Sequence, residues 1–105
     1  MPSPGWYFRA AAASCVATLI AIRAASTGIA LRQLDVTVDS ESDDRGILGL
    51  DPAIPAGPLS TRVEVRLDVA AGDSAAGDAL VAWAVEHCPV TDAIQRAVVI
   101  EVTRA

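Results

Sequence analysis

No lysine occurs in this chain, only one histidine, and no two cysteines at C-x-x-C spacing. The lack of lysine leaves all 8 basic residues as arginine, which reads as compositional bias rather than mechanism. Set against 13 acidic residues, they give a net charge of −5 and a pI near 4.5. Nucleic-acid binding rests on clustered cations that neutralise phosphates, so that class is excluded. Cys15, Cys88 and His87 cannot build a zinc site from soft ligands or a disulfide-dense scaffold, and neither a metal nor a cofactor is expected. The main apolar run, Ala10 to Ile22, is closed by Arg23. It falls short of the roughly 20 residues that span a bilayer, so no membrane partner is expected. Repeats and low-complexity tails are absent too.

What the chain has in excess is apolar surface. Apolar residues make up 52% of it before its 7 glycines are counted. Ordinary soluble domains reach about 45–50% with glycine included. Residues 1–105 form one domain with a modest core, and the surplus implies burial against a second copy. Arg9, the apolar run and the small residues Ala24 to Ser26 also have the outline of a secretory signal. A cut near Ser26 would leave Cys88 alone. Trp6, Tyr7 and Phe8 ahead of the run, and a good helix end at Gly28, argue for a cytoplasmic protein instead.

Ser3-Pro4 reads as a helix start, with Ser3 as cap and Pro4 in the first turn. The helix runs to about Thr27, and Gly28 supplies a left-handed stop. It is apolar nearly all round, which predicts burial on most sides. Arg9, Val16 and Arg23 recur every seven residues, so the stripe that holds the two charges is expected to reach solvent. Two strands follow, in which Leu34, Val36 and Val38, then Val63, Val65, Leu67 and Val69, alternate with polar residues. Period two with one polar face predicts an antiparallel sheet covered on one side, with opposite charges pairing across it. Between the strands, Glu41 to Ser60 is a long irregular connection holding Pro52, Pro55 and Pro58. A second helix starts near Asp73 or Ser74 and ends at Pro89, with Leu80, Val81, Ala84, Val85 and Cys88 on its core face. A short helix from Pro89 to about Gln95 precedes a last strand containing Val98, Ile100 and Val102. The expected class is α+β, in the order α-β-β-α-α-β.

The two cysteines carry most of the chemistry. Cys15 sits in the apolar helix, where desolvation raises a thiol pKa unless a cation offsets it. Cys88 precedes Pro89 at a helix start, where peptide dipoles favour the reactive thiolate. Brought together they would form a redox pair; apart, each suits a small core position. His87 could carry a proton for Cys88, but neighbours on a helix point apart, and a solvated or capping role is the better reading. Trp6, Tyr7 and Phe8 fit a dimer interface better than a pocket wall, and Arg96 is expected to hold a carboxylate for structure.

Pro4-x-x-x-x-Arg-Ala-Ala-Ala-Ala-Ser-Cys15, a Gly28-Ile29 helix exit leading to a strand, and His87-Cys88-Pro89-Val90-Thr91-Asp92 together resemble the OsmC and organic hydroperoxide resistance superfamily. The resemblance spans nearly the whole chain. It implies an OsmC-like α+β fold with a long buried central helix on a small antiparallel sheet, intertwined as a homodimer. It also implies thiol-dependent reduction of organic hydroperoxides to alcohols in oxidative stress defence. Cys15 would be the peroxidatic thiol and Cys88 the resolving one, with electrons returned by a dithiol such as protein-bound lipoamide. Two features depart from the pattern. Members carry a β-rich segment ahead of the cysteine helix, where this chain starts, so the domain is expected to be incomplete at its N-terminus. The arginine that assists the thiolate in active members comes from that segment, and Arg9, six residues before Cys15, is a poor replacement. The glutamate that some members place after the opening proline is missing as well, since Gly5, Trp6 and Tyr7 follow Pro4. The alternative within the fold is a non-catalytic module that binds apolar ligands or assembles, its cysteines serving only as core residues.

Overall fold

The computed structural model describes residues 3–70 and 72–105. Helix α1 spans Pro4–Ser26. The Ser3 hydroxyl accepts the Trp6 N–H at 3.1 Å and Pro4 opens the first turn. At the far end Thr27 Oγ1 donates to the Arg23 carbonyl at 2.7 Å, and Gly28 turns the chain with φ +73°. A side chain resists that left-handed conformation, so glycine ends the helix. Strand β1 (Leu31–Glu41) leads through a single helical turn, α2 (Asp44–Ile47), to β2 (Ser60–Val69). Helix α3 (Ser74–His87) is capped by Asp73, whose carboxylate accepts the Ala76 N–H at 3.1 Å. Helix α4 (Pro89–Gln95) follows after the single residue Cys88.

The sheet is a two-stranded antiparallel ribbon in which Leu34 faces Leu67, Val36 faces Val65 and Val38 faces Val63. These residues pack beneath α1 and α3 around Val16, Ile20, Ala24, Leu80, Ala84 and Cys88. Fully burying a side chain such as Val16 or Ile20 contributes about 1.5–3 kcal/mol, so a handful of positions carries much of the stability. Helix α3 lies close on β2 at Gly77, where an added Cβ would stand 2.7 Å from Leu67 Cδ2. On the open face Arg62 reaches Asp39 at 3.8 Å across the strands. Glu64 holds Arg62 and Arg66 at 2.8 and 3.0 Å along its own strand. Such exposed pairs add little to stability.

The α+β class, both strands and the three longer helices stand as expected. Three expectations are corrected. Helix α1 is long and apolar enough to cross a membrane by length and composition, yet it is buried along one stripe only: Ala12, Val16, Ile20 and Ala24. One sheet and one neighbouring helix layer cannot cover more of it. The stripe of Arg9, Val16 and Arg23 does not lie in solvent, because Val16 is fully buried. Its arginines are at the two ends, where long stems carry the charges outward. The strand expected over Val98–Val102 does not form among the described residues, and Val99, Ile100 and Val102 are 94%, 81% and 86% exposed. Alternation gives a segment two faces, but a strand also needs a neighbour to accept its hydrogen bonds, and among the described residues no strand pairs with it. The irregular connection, in turn, contains the unforeseen turn α2.

Candidate functional site: a paired thiol beside an apolar groove

Helix α1 presents Cys15 one position before buried Val16, and the α3–α4 corner presents Cys88. The corner is sharp because Pro89 cannot continue α3 but suits the first turn of α4. Cys88 is therefore the end of one helix and the cap of the next, in extended conformation at φ −76°, ψ 119°. The two sulfurs, 73 residues apart in sequence, stand 2.7 Å from each other. Both thiols are free. A disulfide has sulfurs about 2.05 Å apart, so less than about 1 Å of movement separates the pair from a covalent bond. Cys88 is fully buried, whereas Cys15 is partly exposed.

The surroundings divide the proton unequally. Burial pushes both thiols up. For Cys88 that push is outweighed by hydrogen bonds from the Cys15 thiol, from the Thr91 N–H at 3.5 Å and from the Val90 N–H. Its pKa lies below the ordinary thiol value. Cys15 stays above it, through burial first and then through its bond to Cys88, despite the Val90 N–H. Either thiol can donate across the gap. The proton rests on Cys15, because Cys88 is the sulfur that the backbone N–H groups favour as an anion. Two such groups titrate as a pair, with one proton shared over a window that straddles the value for an isolated thiol.

Thr91, named above only within a motif, holds this corner. It is buried, and its hydroxyl donates to the Val85 carbonyl at 2.8 Å and, less closely, to the Cys88 carbonyl at 3.2 Å. Val85 lies in the last turn of α3, where carbonyls have no helical partner. The signal in the sequence was a threonine three residues into a Pro-initiated turn, which says nothing of a carbonyl six residues back.

Beside the thiols an open groove of about 750 Å³ runs past Phe8, Leu59, Val63, Val90 and Ile94. Val90 and Thr91 border both groove and sulfurs, so the groove runs beside the redox pair. Phe8 thus lines a cavity, while Trp6 and Tyr7 remain half exposed and pack edge to face at 5.3 Å. His87 is turned away: its ring stacks on Trp83 at 4.3 Å and Nδ1–H donates to the Trp83 carbonyl at 2.8 Å. Arg23 lies 4.8 Å over the same indole. Arg96 holds Asp92 at 2.7 Å, as expected for structure. Arg9 donates to Ser40 Oγ at 3.1 Å and does not contribute to the acidity of either thiol. Among the described residues no cluster of His, Cys, Asp or Glu could hold a metal ion.

Chemically, such a pair can take an oxygen atom on one sulfur and release it as a disulfide forms with the other. The family model for OsmC-like proteins matches residues 1–103. An OsmC-like hydroperoxide resistance protein from Jannaschia sp. CCS1 has a similar crystal structure, with TM-score 0.69 and 24% identity. The similarity covers 94% of this chain but 63% of that one, so this chain spans less than two thirds of its length. No curated protein matches the sequence.

Proposed function

We propose that this chain, which belongs to the OsmC-like protein family, reduces organic hydroperoxides to alcohols in oxidative stress defence through Cys15 and Cys88. The observation that carries the reading is the 2.7 Å approach of the two sulfurs beside an apolar groove. An isolated thiol with a pKa near 8.5 is only a few per cent ionised at pH 7. Sharing one proton removes that handicap. Cys88, ionised, takes the proton of Cys15 as the Cys15 sulfur attacks the terminal oxygen of R–O–O–H. The O–O bond breaks, the S–O bond forms, and the products are Cys15 sulfenic acid and an alkoxide, RO⁻. The Cys88 thiol protonates the alkoxide to the alcohol and is again a thiolate. It then attacks the sulfenic sulfur, forming the disulfide and expelling hydroxide, which a solvent proton converts to water. The sum is one hydroperoxide and two thiols giving an alcohol, water and a disulfide.

A dithiol such as protein-bound lipoamide returns the two electrons. The working unit is a cytoplasmic homodimer, a reading supported by the apolar residues left exposed on one chain, among them Ile22, Leu48, Val99 and Ile100. The test is consumption of cumene hydroperoxide with dihydrolipoamide as reductant. Turnover in the native protein, none in Cys15→Ser, and a single equivalent consumed by Cys88→Ser is the expected pattern. Equal consumption in all three rejects the reading and leaves a non-catalytic module with structural cysteines.

A further inference from the structure

Apart from any redox chemistry, Cys15 and Cys88 are two sulfur ligands whose spacing selects what they can hold together. Both thiols are free and the sulfurs stand 2.7 Å apart. With bonds to sulfur of about 2.3 Å, a central atom that holds two sulfurs at a right angle needs them about 3.3 Å apart, and one that holds them in line needs about 4.6 Å. The first asks this pair to open by about 0.6 Å and the second by about 1.9 Å, against the packing that seats both cysteines in the core. Linear two-coordinate ions such as silver are therefore disfavoured, and a pyramidal centre with angles near 90° fits. The number of ligands narrows the choice further. Among the described residues no third His, Cys, Asp or Glu completes a cluster, so tetrahedral zinc would lack half its ligands. Trivalent arsenic that already carries one carbon substituent needs two sulfurs and no more. The Val90 and Thr91 N–H groups favour thiolate at Cys88, and thiolate is the form of cysteine that acts as a ligand. The open groove beside Val90, about 750 Å³, leaves room for the substituent.

We propose that Cys15 and Cys88 together chelate trivalent organoarsenicals, R–As(OH)2, with one arsenic atom bound by both sulfurs. Two As–O bonds break and two As–S bonds form, and the two thiol protons leave with the hydroxyl groups as two waters. Arsenic stays trivalent and nothing is oxidised or reduced. Binding therefore needs no electron donor, and it does not depend on hydroperoxide turnover. The two sulfurs belong to residues 73 positions apart, so one arsenic atom fastens α1 to the α3–α4 corner and blocks both thiols at once. Its tightness comes from the second bond, which forms within the molecule and gains about a hundredfold or more over a single thiol.

The test adds phenylarsine oxide to the reduced native protein and weighs the product by intact mass spectrometry in the presence of excess glutathione. One phenylarsenic group per chain is expected, retained against glutathione, released by 2,3-dimercaptopropanol, and protecting both cysteines from iodoacetamide. In Cys15→Ser and in Cys88→Ser the adduct rests on one sulfur, and the glutathione needed to strip it falls about a hundredfold. Two groups per chain, one cysteine left open to iodoacetamide, or an adduct that glutathione strips from the native protein, overturns the proposal. These native-protein readings decide it even where a serine variant fails to fold. A native protein that holds the arsenical but consumes no hydroperoxide overturns the peroxidase reading alone, and one that turns over hydroperoxide but loses the arsenical to glutathione overturns only the chelate.

Discussion

Thr91→Val removes one oxygen atom and leaves the volume of the corner intact, so it isolates what the Thr91 hydroxyl does. That hydroxyl has one proton and two carbonyls in reach, Val85 at 2.8 Å and Cys88 at 3.2 Å. The shorter bond satisfies a carbonyl in the last turn of α3 that no helical N–H can reach. Leaving a buried acceptor without its donor costs about 1–3 kcal/mol. Val85 is half-buried, so water recovers part of this, and the expected loss is about 1–2 kcal/mol. For a domain of this size that lowers the melting temperature by roughly 5–15 °C. A second consequence separates function from mere destabilisation. Thr91 holds the Cys88 sulfur through its N–H at 3.5 Å, a contact that favours the thiolate, and its hydroxyl fixes the corner that aims this N–H. In the variant the Cys88 pKa therefore moves up toward the ordinary thiol value, and single-turnover oxidation at neutral pH slows. Thermal unfolding followed by circular dichroism reads the first effect, and thiolate absorbance near 240 nm against pH reads the second. Thr91→Ser, which keeps the hydroxyl, restores the titration even where it does not restore stability. A Thr91→Val protein with unchanged melting and unchanged thiolate titration would refute the account of the corner.

Cys15→Ala deprives Cys88 of its thiol donor, and the Cys88 pKa rises in the same absorbance titration; a fall would mean that the proton rests on Cys88 instead. In the native protein the rate of single-turnover oxidation climbs as pH rises through the lowered Cys88 value, because below it both thiols are protonated, and a flat stopped-flow profile would contradict that. Ile20→Ala empties a fully buried position between α1 and the sheet and costs about 2–5 kcal/mol in urea unfolding, against under about 0.5 kcal/mol for Ile22→Ala on the exposed face of the same helix. Gly77→Val destabilises through contact with Leu67, whereas Gly72→Ala does so through its backbone alone, at φ +70° with open space around it; urea midpoints in which both are neutral would deny the close packing of α3 on β2.

The parts of the fold that local rules govern were legible in the sequence. Ser3-Pro4, Gly28, Asp73 and Pro89 begin or end helices through their own backbone chemistry, and each does so here. Alternation likewise told which side of each strand turns inward. What periodicity cannot tell is which face meets which. The run Val98–Val102 alternates apart from Val99 yet finds no strand partner among the described residues, and α1 is apolar nearly all round yet covered on one stripe. In both cases the pattern records a demand for burial that one chain does not meet. The same limit applied to the site. Sequence placed Cys88 on the core face of α3 and Cys15 in the apolar helix, but their approach was implied only by resemblance, since 73 residues separate them. The role of Thr91 escaped notice for a related reason. It depends on a carbonyl across the corner, six residues back in the sequence. Arg9 also shows how a seven-residue repeat misleads on a helix. The recurrence of Arg9, Val16 and Arg23 suggested a wet stripe, but the middle residue is in the core and only the ends escape it. Long stems let a charge at each end of a buried stripe leave the core sideways, one to a groove and one to an indole. A charged residue in such a repeat therefore marks where a helix face leaves the core, which in this chain is where the apolar groove gives way to a hollow lined by a cation.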